Sequence, residues 1–242
     1  MKIVAKTDVG MVRESNQDSY TTGELPNGVA WAVVCDGMGG AAGGNVASST
    51  AVKVIAEQIT SSFRPGMSAN SIKNMMVSAI NAANISVYDI SCSNSELYGM
   101  GTTVVCAIVM EHTAYIAHAG DSRAYIVSHG DLTQLTRDHS VVQELVEHGK
   151  ITALEAKRHP NKNIITRAVG VSREILVDFS EQEMKDGDVL LLCTDGLTNF
   201  VESDEMCDLT KDDMFYEFAE RLVDRANKNG GGDNVTVVAV TY

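Results

Sequence analysis

Residues 30–45, AWAVVCDGMGGAAGGN, constrain the fold of this chain more than any other stretch. An apolar run with β-branched residues ends at Asp36, five of the next eight residues are glycine, and Asn45 begins a segment with helical spacing. Glycine permits positive φ and leaves the main chain bare, so the backbone of this turn can approach an ion or a phosphate closely. The Gly37 carbonyl is itself a candidate ligand. The stretch therefore predicts a strand that delivers a carboxylate to a bare backbone turn.

Composition is typical of one large domain with a substantial core. The chain has 242 residues, of which 44% are apolar, and no Pro-rich, Ser/Gly-rich or like-charge run divides it. We therefore expect residues 1–242 to form a single domain. The N-terminus has no long apolar segment, and nowhere do about 18 apolar residues run together, so we expect neither secretion nor membrane spanning but a cytoplasmic protein.

The charge and the cysteines exclude some classes of function. The formal net charge is −13, and such a chain repels phosphate backbones, so nucleic acid is not an expected partner. The five cysteines form no CxxC pair, and Cys35, Cys106 and Cys193 lie inside apolar runs. We interpret these three as buried, reduced thiols of a cytosolic protein.

Periodicity predicts antiparallel strands combined with amphipathic helices. Helical spacing marks residues 45–62, 69–90 and about 214–227. Strands are predicted at 1–9 and 29–35, in the runs TTVVCAIVM, TAYIAHAG and SRAYIVS of one β meander, and in EILVDF, DVLLLCT and NVTVVAVTY. Because the helices are not interleaved one per strand, the pattern predicts an α+β fold and not a doubly wound parallel sheet.

Four aspartates stand at the ends of apolar runs, each beside glycine: Asp36 in VVCDG, Asp121 in HAGDS, Asp195 in LLCTDG and Asp233 in GGGDN. One such aspartate is an ordinary turn residue, but four indicate a shared site, since a buried carboxylate is costly unless it is hydrogen-bonded or paired with a cation. Oxygen ligands without Cys or His suit hard ions such as Mg²⁺ or Mn²⁺. Two such ions about 3.5 to 4 Å apart activate water and clamp phosphoryl oxygens. The chemistry indicated is metal-assisted phosphate hydrolysis.

Two residues of the polar segment VRESNQD complete the candidate site. Arg13 can grip two phosphate oxygens with its planar fork. Asp18 can support the metal shell through water. Considered alone, Arg13 fits a surface arginine better, and Asp18 fits a turn or cap residue equally well.

Seven motifs in order, VRESNQD, VVCDGMGG, GTT, AGDSRAY, ITRAVG, LLCTDGL and GGGDNVTVV, resemble those of the metal-dependent type 2C (PPM) protein serine/threonine phosphatases in their compact bacterial form. The resemblance covers essentially the whole chain. It implies a four-layer α-β-β-α sandwich, in which helix pairs flank two antiparallel sheets and the metals lie in a cleft at one end. It also implies that residues 140–170 form a mobile flap that shapes substrate access.

The resemblance implies a role for each acidic residue of the site. Asp36 would bridge two Mn²⁺ or Mg²⁺ ions, the Gly37 carbonyl would bind one of them, and Asp195 and Asp233 would complete the other. Asp121 together with Asp195 matches the weaker third metal site of bacterial members.

By the same resemblance, Arg13 would bind the phosphate, and a metal-bound water would attack phosphoserine or phosphothreonine in line, without a phosphoenzyme. The implied partners are phosphoproteins, namely the substrates of a cognate Ser/Thr kinase, and we expect the enzyme to be a monomer. The alternative is a catalytically inactive relative that keeps the fold and binds phosphoproteins. Since Asp36, Asp195 and Asp233 are all present, we expect activity.

The chain departs from some eukaryotic relatives at two positions. Gln17 stands where they have Glu, so a metal contact there is expected to be indirect. Met38 follows the DG pair where they have a His that is proposed as general acid, so the proton for the leaving group has no assigned donor. His139 is a conceivable donor, although a structural or exposed histidine is the expected interpretation.

Two other enzyme classes match the sequence only locally. Gly37, Gly39 and Ala42 spell GxGxxA after a strand, but Glu57, twenty residues beyond Gly37, falls inside a predicted helix and not at the end of a second strand, which argues against dinucleotide binding. GDSRA around Ser122 is not GxSxG, and no histidine follows residue 159 to complete a serine hydrolase triad.

Overall fold

Eleven strands and seven α-helices are present in the residues that the computed structural model describes, 1–210 and 215–242. The strands are β1 (Lys2–Asp8), β2 (Asp18–Leu25), β3 (Val29–Met38), β4 (Gly101–Thr102), β5 (Val104–Met110), β6 (Thr113–Ala119), β7 (Arg123–Ser128), β8 (Asp131–Gln134), β9 (Asp178–Glu183), β10 (Val189–Cys193) and β11 (Val235–Thr241). The helices are α1 (Gly40–Ser62), α2 (Ala69–Ser93), α3 (Val141–Glu147), α4 (Ala153–Ala156), α5 (Asp195–Thr198), α6 (Ser203–Thr210) and α7 (Phe215–Lys228).

The strands form two antiparallel sheets. One has the order β1-β11-β10-β7-β8, and the other has the order β2-β3-β5-β6-β9, with the short β4 added beside the end of β3. Antiparallel pairing throughout both sheets, with the long helices outside them, confirms the predicted α+β class.

Alternation along the strands builds three apolar layers. On β10, Leu190 and Leu192 face the opposite sheet, whereas Leu191 and Cys193 face α5, α6 and α7. On β3, the even-numbered residues from 30 to 34 lie between the sheets, and the odd-numbered residues from 31 to 35 pack against α1 and α2. Since both faces of each sheet are buried, the layers run helix, sheet, sheet, helix, which confirms the predicted sandwich.

Helix α1 begins at Gly40, five residues before the predicted start at Asn45. Gly39 precedes it with φ +125, and a Cβ there would lie 2.6 Å from the Cα of Met100. Inside the helix, a Cβ on Gly44 would lie 2.6 Å from the Gly37 carbonyl oxygen, so a larger residue does not fit there although glycine weakens a helix intrinsically.

The prediction of a single meander was wrong. β5 and β6 pair with each other, but β7 pairs with β10 and β8 in the other sheet. Gly120, with φ +118, lies where the chain crosses from one sheet to the other. Periodicity identifies a strand but not its partner, which is why the crossing was missed.

The strand predicted in EILVDF is shifted in the structure. β9 starts at Asp178, where its ladder with β6 begins with the pair His118 and Asp178. Ile175 and Val177 pack against the apolar layer beneath α1 and α2 without joining a strand.

Several elements were not predicted, among them β2, β8, α5 and α6, and one prediction extends past the described residues. β2 was missed because half-buried polar residues fill it, and α6 was missed because it is short and acidic. The helix predicted at 214–227 corresponds to α7, and Met214 lies outside the described residues. None of the helices in the described part of the chain has the length and apolar character of a membrane span.

Candidate active site

A cavity of about 910 Å³ opens where the end of β3 meets the ends of β10 and β11. Its wall includes six residues that the sequence predicted for the site: Arg13, Asp36, Gly37, Asp121, Asp195 and Asp233. These residues come from segments that are far apart in the chain, and the fold brings them together in one cavity.

The backbone of Asp36 is held rigidly by the loop around β4. Its N–H donates to Thr103 Oγ1 at 2.9 Å, and its carbonyl accepts from the Thr103 N–H at 2.8 Å and from Thr102 Oγ1 at 2.7 Å. In the ladder between β2 and β3, Asp36 lies opposite Asp18. The strand therefore fixes the carboxylate of Asp36 at the cavity wall and places a second carboxylate beside it.

Gly37 occupies a place that no other residue can fill. A Cβ at this position would lie 2.1 Å from the Gly44 carbonyl oxygen and 2.6 Å from that of Gln17. The start of α1 thus packs directly on the main chain that follows Asp36, and only glycine permits this approach.

Asp195 and Asp233 are oriented by neighbouring hydrogen-bond donors. Asp195 is the first residue of α5, and its Oδ2 accepts from Asn199 Nδ2 at 2.9 Å. The Oδ1 of Asp233 accepts from the Asn234 N–H at 2.9 Å, and its Oδ2 accepts from an Arg13 guanidinium nitrogen at 2.8 Å. Arg13, although 54% exposed at its side chain, is therefore held at the cavity wall.

Asp18 lies beneath the cavity wall. Its Oδ2 accepts from the hydroxyls of Thr194 at 2.9 Å and Thr236 at 2.7 Å. Its Oδ1 is buried and has no hydrogen-bond partner. Burial raises the pKa of Asp18 to about 7, although the two hydroxyls oppose the shift.

The carboxyls of the site perturb one another. Burial raises the pKa of Asp36 well above its ordinary value, and the charges of Asp18, Asp195, Asp121 and Asp233 raise it further. The pKa of Asp121 rises to about 7, first through burial and then through the charge of Asp195. Burial and Asp233 raise the pKa of Asp195, and a hydrogen bond with Asp36 opposes the shift.

This set of groups fits hard divalent cations. Every candidate ligand is an oxygen, the carboxylates repel one another in the absence of a positive charge, and one buried carboxylate oxygen lacks a partner. Mg²⁺ and Mn²⁺ prefer oxygen ligands and would offset this repulsion.

Several supporting residues were missed at the sequence level. Thr103 and Asn234 lie inside the motifs GTT and GGGDN but had no assigned role. Asn234 ties its own loop to the loop between β1 and β2, since its Oδ1 accepts from the Gln17 N–H at 2.8 Å and its Nδ2 donates to the carbonyls of Val9 and Ser15. The available signal was that Asn234 directly follows Asp233 and that Thr103 belongs to the GTT motif.

His139 does not face the cavity. Its side chain is completely buried, and the Gly120 N–H donates to its Nδ1 at 3.1 Å. Nδ1 therefore carries a lone pair, and Nε2 carries the proton that is donated to Asp178 Oδ2 at 3.2 Å. This histidine is structural and is not placed to protonate a leaving group.

Among the described residues, a separate cluster brings potential ligand atoms of His118, His139 and Asp178 within 4.8 Å of one another. The two imidazole rings stack at 4.7 Å between centroids. Because Nε2 of His139 is protonated in this hydrogen-bond pattern, it has no lone pair for a metal ion. The cluster joins the start of the 140–170 segment to β6 and β9.

The structure contradicts the two local matches to other enzyme classes. Glu57 lies inside α1, and the neighbours of β3 are antiparallel, so no dinucleotide-binding unit is present around Gly37. Ser122 is buried and its hydroxyl is bonded to Thr103 Oγ1 at 2.6 Å.

A family model for protein phosphatase 2C matches residues 12–236, which include Arg13 and all the aspartates of the site. The chain belongs to this family. The serine/threonine phosphatase stp of Listeria monocytogenes is 38% identical over 236 residues, which cover 97% of this chain and 93% of that protein. Similarity on this scale extends from the first strand to the last.

Solved structures show the same fold. The serine/threonine phosphatase of S. agalactiae superposes with a TM-score of 0.93 at 32% identity, covering 100% of this chain and 99% of that one. The catalytic domain of the serine/threonine protein phosphatase PstP, solved in complex with two manganese ions, superposes with a TM-score of 0.85 at 33% identity, covering 98% and 96%.

The chain is thus a metal-dependent protein serine/threonine phosphatase that acts on phosphoproteins. The predicted family, fold class and activity are confirmed. None of these comparisons supports the alternative of an inactive binding module.

Proposed function

We propose that the acidic cavity holds two Mn²⁺ or Mg²⁺ ions and that its residues bind these ions in the roles that the sequence suggested. Asp36 would hold both ions, the Gly37 carbonyl would bind one of them, and Asp195 and Asp233 would complete the other. Asp121, together with Asp195, forms a third and weaker site.

The observation that carries this proposal is the convergence of aspartates from separate segments on one cavity, above a carboxylate oxygen of Asp18 that is buried without a partner. The manganese pair in PstP, whose fold this chain shares, supports the number of ions. Bound there, such ions supply an activated water molecule as the nucleophile and offset the charge of the phosphoryl oxygens.

The chain's own groups position the aspartates and the substrate. Thr103 holds the backbone of Asp36, and the Asn234 N–H holds the carboxylate of Asp233. Arg13 reaches the cavity beside Asp233, and its guanidinium has further N–H donors for the oxygens of a phosphorylated serine or threonine. We propose that Arg13 binds the phosphate dianion in this way.

The segment 140–170 is proposed to act as the flap within one phosphatase domain that spans residues 1–242. Asn163 and Ile165, which lie near its end, line the acidic cavity and so can limit which substrates reach it.

We also propose a monomer that works in the cytoplasm on substrates of a cognate Ser/Thr kinase. The five free cysteines support this location, since disulfides are rare in reducing compartments.

A metal-titrated phosphatase assay tests the proposal. Enzyme stripped with a chelator should not hydrolyse phosphothreonine peptides, and Mn²⁺ should restore turnover. Asp36→Asn should lower the restored kcat by about 100-fold, because the asparagine is uncharged and offers one oxygen in place of two. The matched control is Asp89→Asn, at an exposed position on α2 away from the cavity, and should retain wild-type kcat. Wild-type turnover by Asp36→Asn, or a preference for phosphotyrosine peptides, would contradict the proposal.

A further inference from the structure

A second cavity, of about 340 Å³, continues from the acidic one, and Met38 and Ile165 line both. We call it the side groove; its other lining residues come from 166–168 and 171–176. Most of its side chains are apolar, namely those of Met38, Ile165, Ala168, Val171, Ile175 and Leu176. Val171 is 49% exposed and Leu176 is 73% exposed. Ligand sites are typically concave and mostly apolar, so an apolar groove that opens into a substrate cavity is a candidate site for another part of the substrate.

The outer wall of the side groove is held in place by α2. Asn84 is buried, and its Oδ1 accepts from the Gly170 N–H at 2.7 Å while its Nδ2 donates to the Ser172 carbonyl at 2.9 Å. Gly170 has φ +87, and a Cβ there would lie 2.2 Å from Val87 Cγ1. Because the wall is fixed before a ligand arrives, little conformational entropy of the protein is lost when a ligand binds against it.

The charged groups near the side groove do not favour an acidic occupant. Arg167 lines it, but its positive charge is offset by Asp178, to which its guanidinium donates at 2.6 Å. Glu174, which also lines the groove, would repel an acidic group. An apolar side chain is the occupant that the walls match, and the space suffices, since an apolar cavity of about 150 Å³ accommodates benzene.

We propose that the side groove binds an apolar side chain of the phosphoprotein substrate, a few residues from the phosphorylated serine or threonine. This inference rests on the proposed function, because the phosphate must lie among Asp36, Asp195 and Asp233 for a neighbouring residue of the same peptide to pass Met38 and Ile165. The groove thereby gives the reaction a sequence preference that phosphate binding alone does not supply.

The test compares phosphothreonine peptides that differ only in having Leu or Ser at one position, scanned on both sides of the phosphothreonine. Wild-type enzyme with Mn²⁺ should prefer Leu at one position by about tenfold in kcat/KM, as expected for a side chain entering an apolar pocket. Leu176→Ala and Val171→Ala should each reduce this Leu-to-Ser ratio towards one. The ratio cancels any general effect of the substitution on turnover.

The matched control is Leu154→Ala. Leu154 is also an exposed leucine, 68% accessible on α4 of the flap segment, but it lines neither cavity. This variant should keep the wild-type Leu-to-Ser ratio. A photoreactive leucine analogue at the preferred position of a non-hydrolysable phosphothreonine mimic should crosslink to residues within 165–176.

Equal kcat/KM for Leu and Ser at every position would overturn the inference, and so would a preference that survives Leu176→Ala or crosslinks that fall elsewhere. In those outcomes the enzyme still hydrolyses an aryl phosphate, so the assignment of the acidic cavity stands. If Mn²⁺ supports hydrolysis of neither the peptides nor the aryl phosphate, the proposed function fails and the inference fails with it.

Discussion

Asp18→Asn should stabilise the cation-free protein at alkaline pH. Asp18 is 7% exposed, accepts from two threonine hydroxyls through Oδ2 and leaves Oδ1 without a partner. An asparagine has the same shape and retains an oxygen for the hydroxyls of Thr194 and Thr236, but it carries no charge. The substitution therefore removes a buried charge while keeping most of the contacts.

The magnitude follows from the pKa of Asp18, which burial raises from 3.8 to about 7. Between these values the folded state binds more protons than the unfolded state, so the free energy of unfolding falls as the pH rises. With about 1.4 kcal/mol for each pKa unit, the loss is about 4 kcal/mol above pH 7 and disappears below pH 4. Asp18→Asn escapes this loss because asparagine does not titrate.

Urea unfolding in a chelator at about pH 4 and about pH 8 measures this effect. The variant should gain stability over wild type by up to about 4 kcal/mol between the two pH values. The difference between the pH values is the readout, because the cost of burying the new amide N–H, about 1 to 3 kcal/mol, applies equally at both. Asp89→Asn, at an exposed position, should show no such gain. A pH-independent difference for Asp18→Asn would refute the reasoning.

Three further substitutions test separate residues. Asp233→Asn should lower Mn²⁺-dependent kcat on an aryl phosphate by about 100-fold, measured at saturating substrate, because the negative charge and one ligand oxygen are lost; turnover equal to wild type would exclude Asp233 from the site. Arg13→Ala should raise KM by roughly 10- to 100-fold with a smaller effect on kcat, since charge-assisted hydrogen bonds to the phosphate are removed; an unchanged KM would argue against phosphate binding. Cys193→Ser should retain kcat, because burial raises the pKa of this thiol to about 12 and leaves no thiolate to act as nucleophile; loss of activity in a folded variant would contradict this.

The aspartates of the site could be predicted from sequence because their local signal is strong. A carboxylate at the end of a buried strand is costly unless it is hydrogen-bonded or paired with a cation. The same pattern, an aspartate beside glycine, occurs at Asp36, Asp121, Asp195 and Asp233. Their convergence on one cavity required the fold, since nothing in the local pattern says which strand ends are neighbours. The resemblance to a family supplied that step, and in the structure the four aspartates line one cavity.

The remaining features depend on partners that are distant in sequence. Apolar alternation identified β7 as a strand, but its place in the sheet of β10 depends on a crossing at Gly120. The same limit applies to Asn234 and Asn84, whose amides join loops and helices across the molecule. A polar residue inside a motif signals a contact, but the sequence does not identify what it contacts.

Manganese-soaked crystals, measured at the manganese absorption edge, test the central claim most directly. The claim predicts two strong anomalous peaks about 3.5 to 4 Å apart between Asp36, Asp195 and Asp233, and a weaker peak near Asp121. Asp36→Asn crystals soaked in the same way should lose the pair. A cavity without anomalous density among these aspartates in the wild-type crystal would contradict the account.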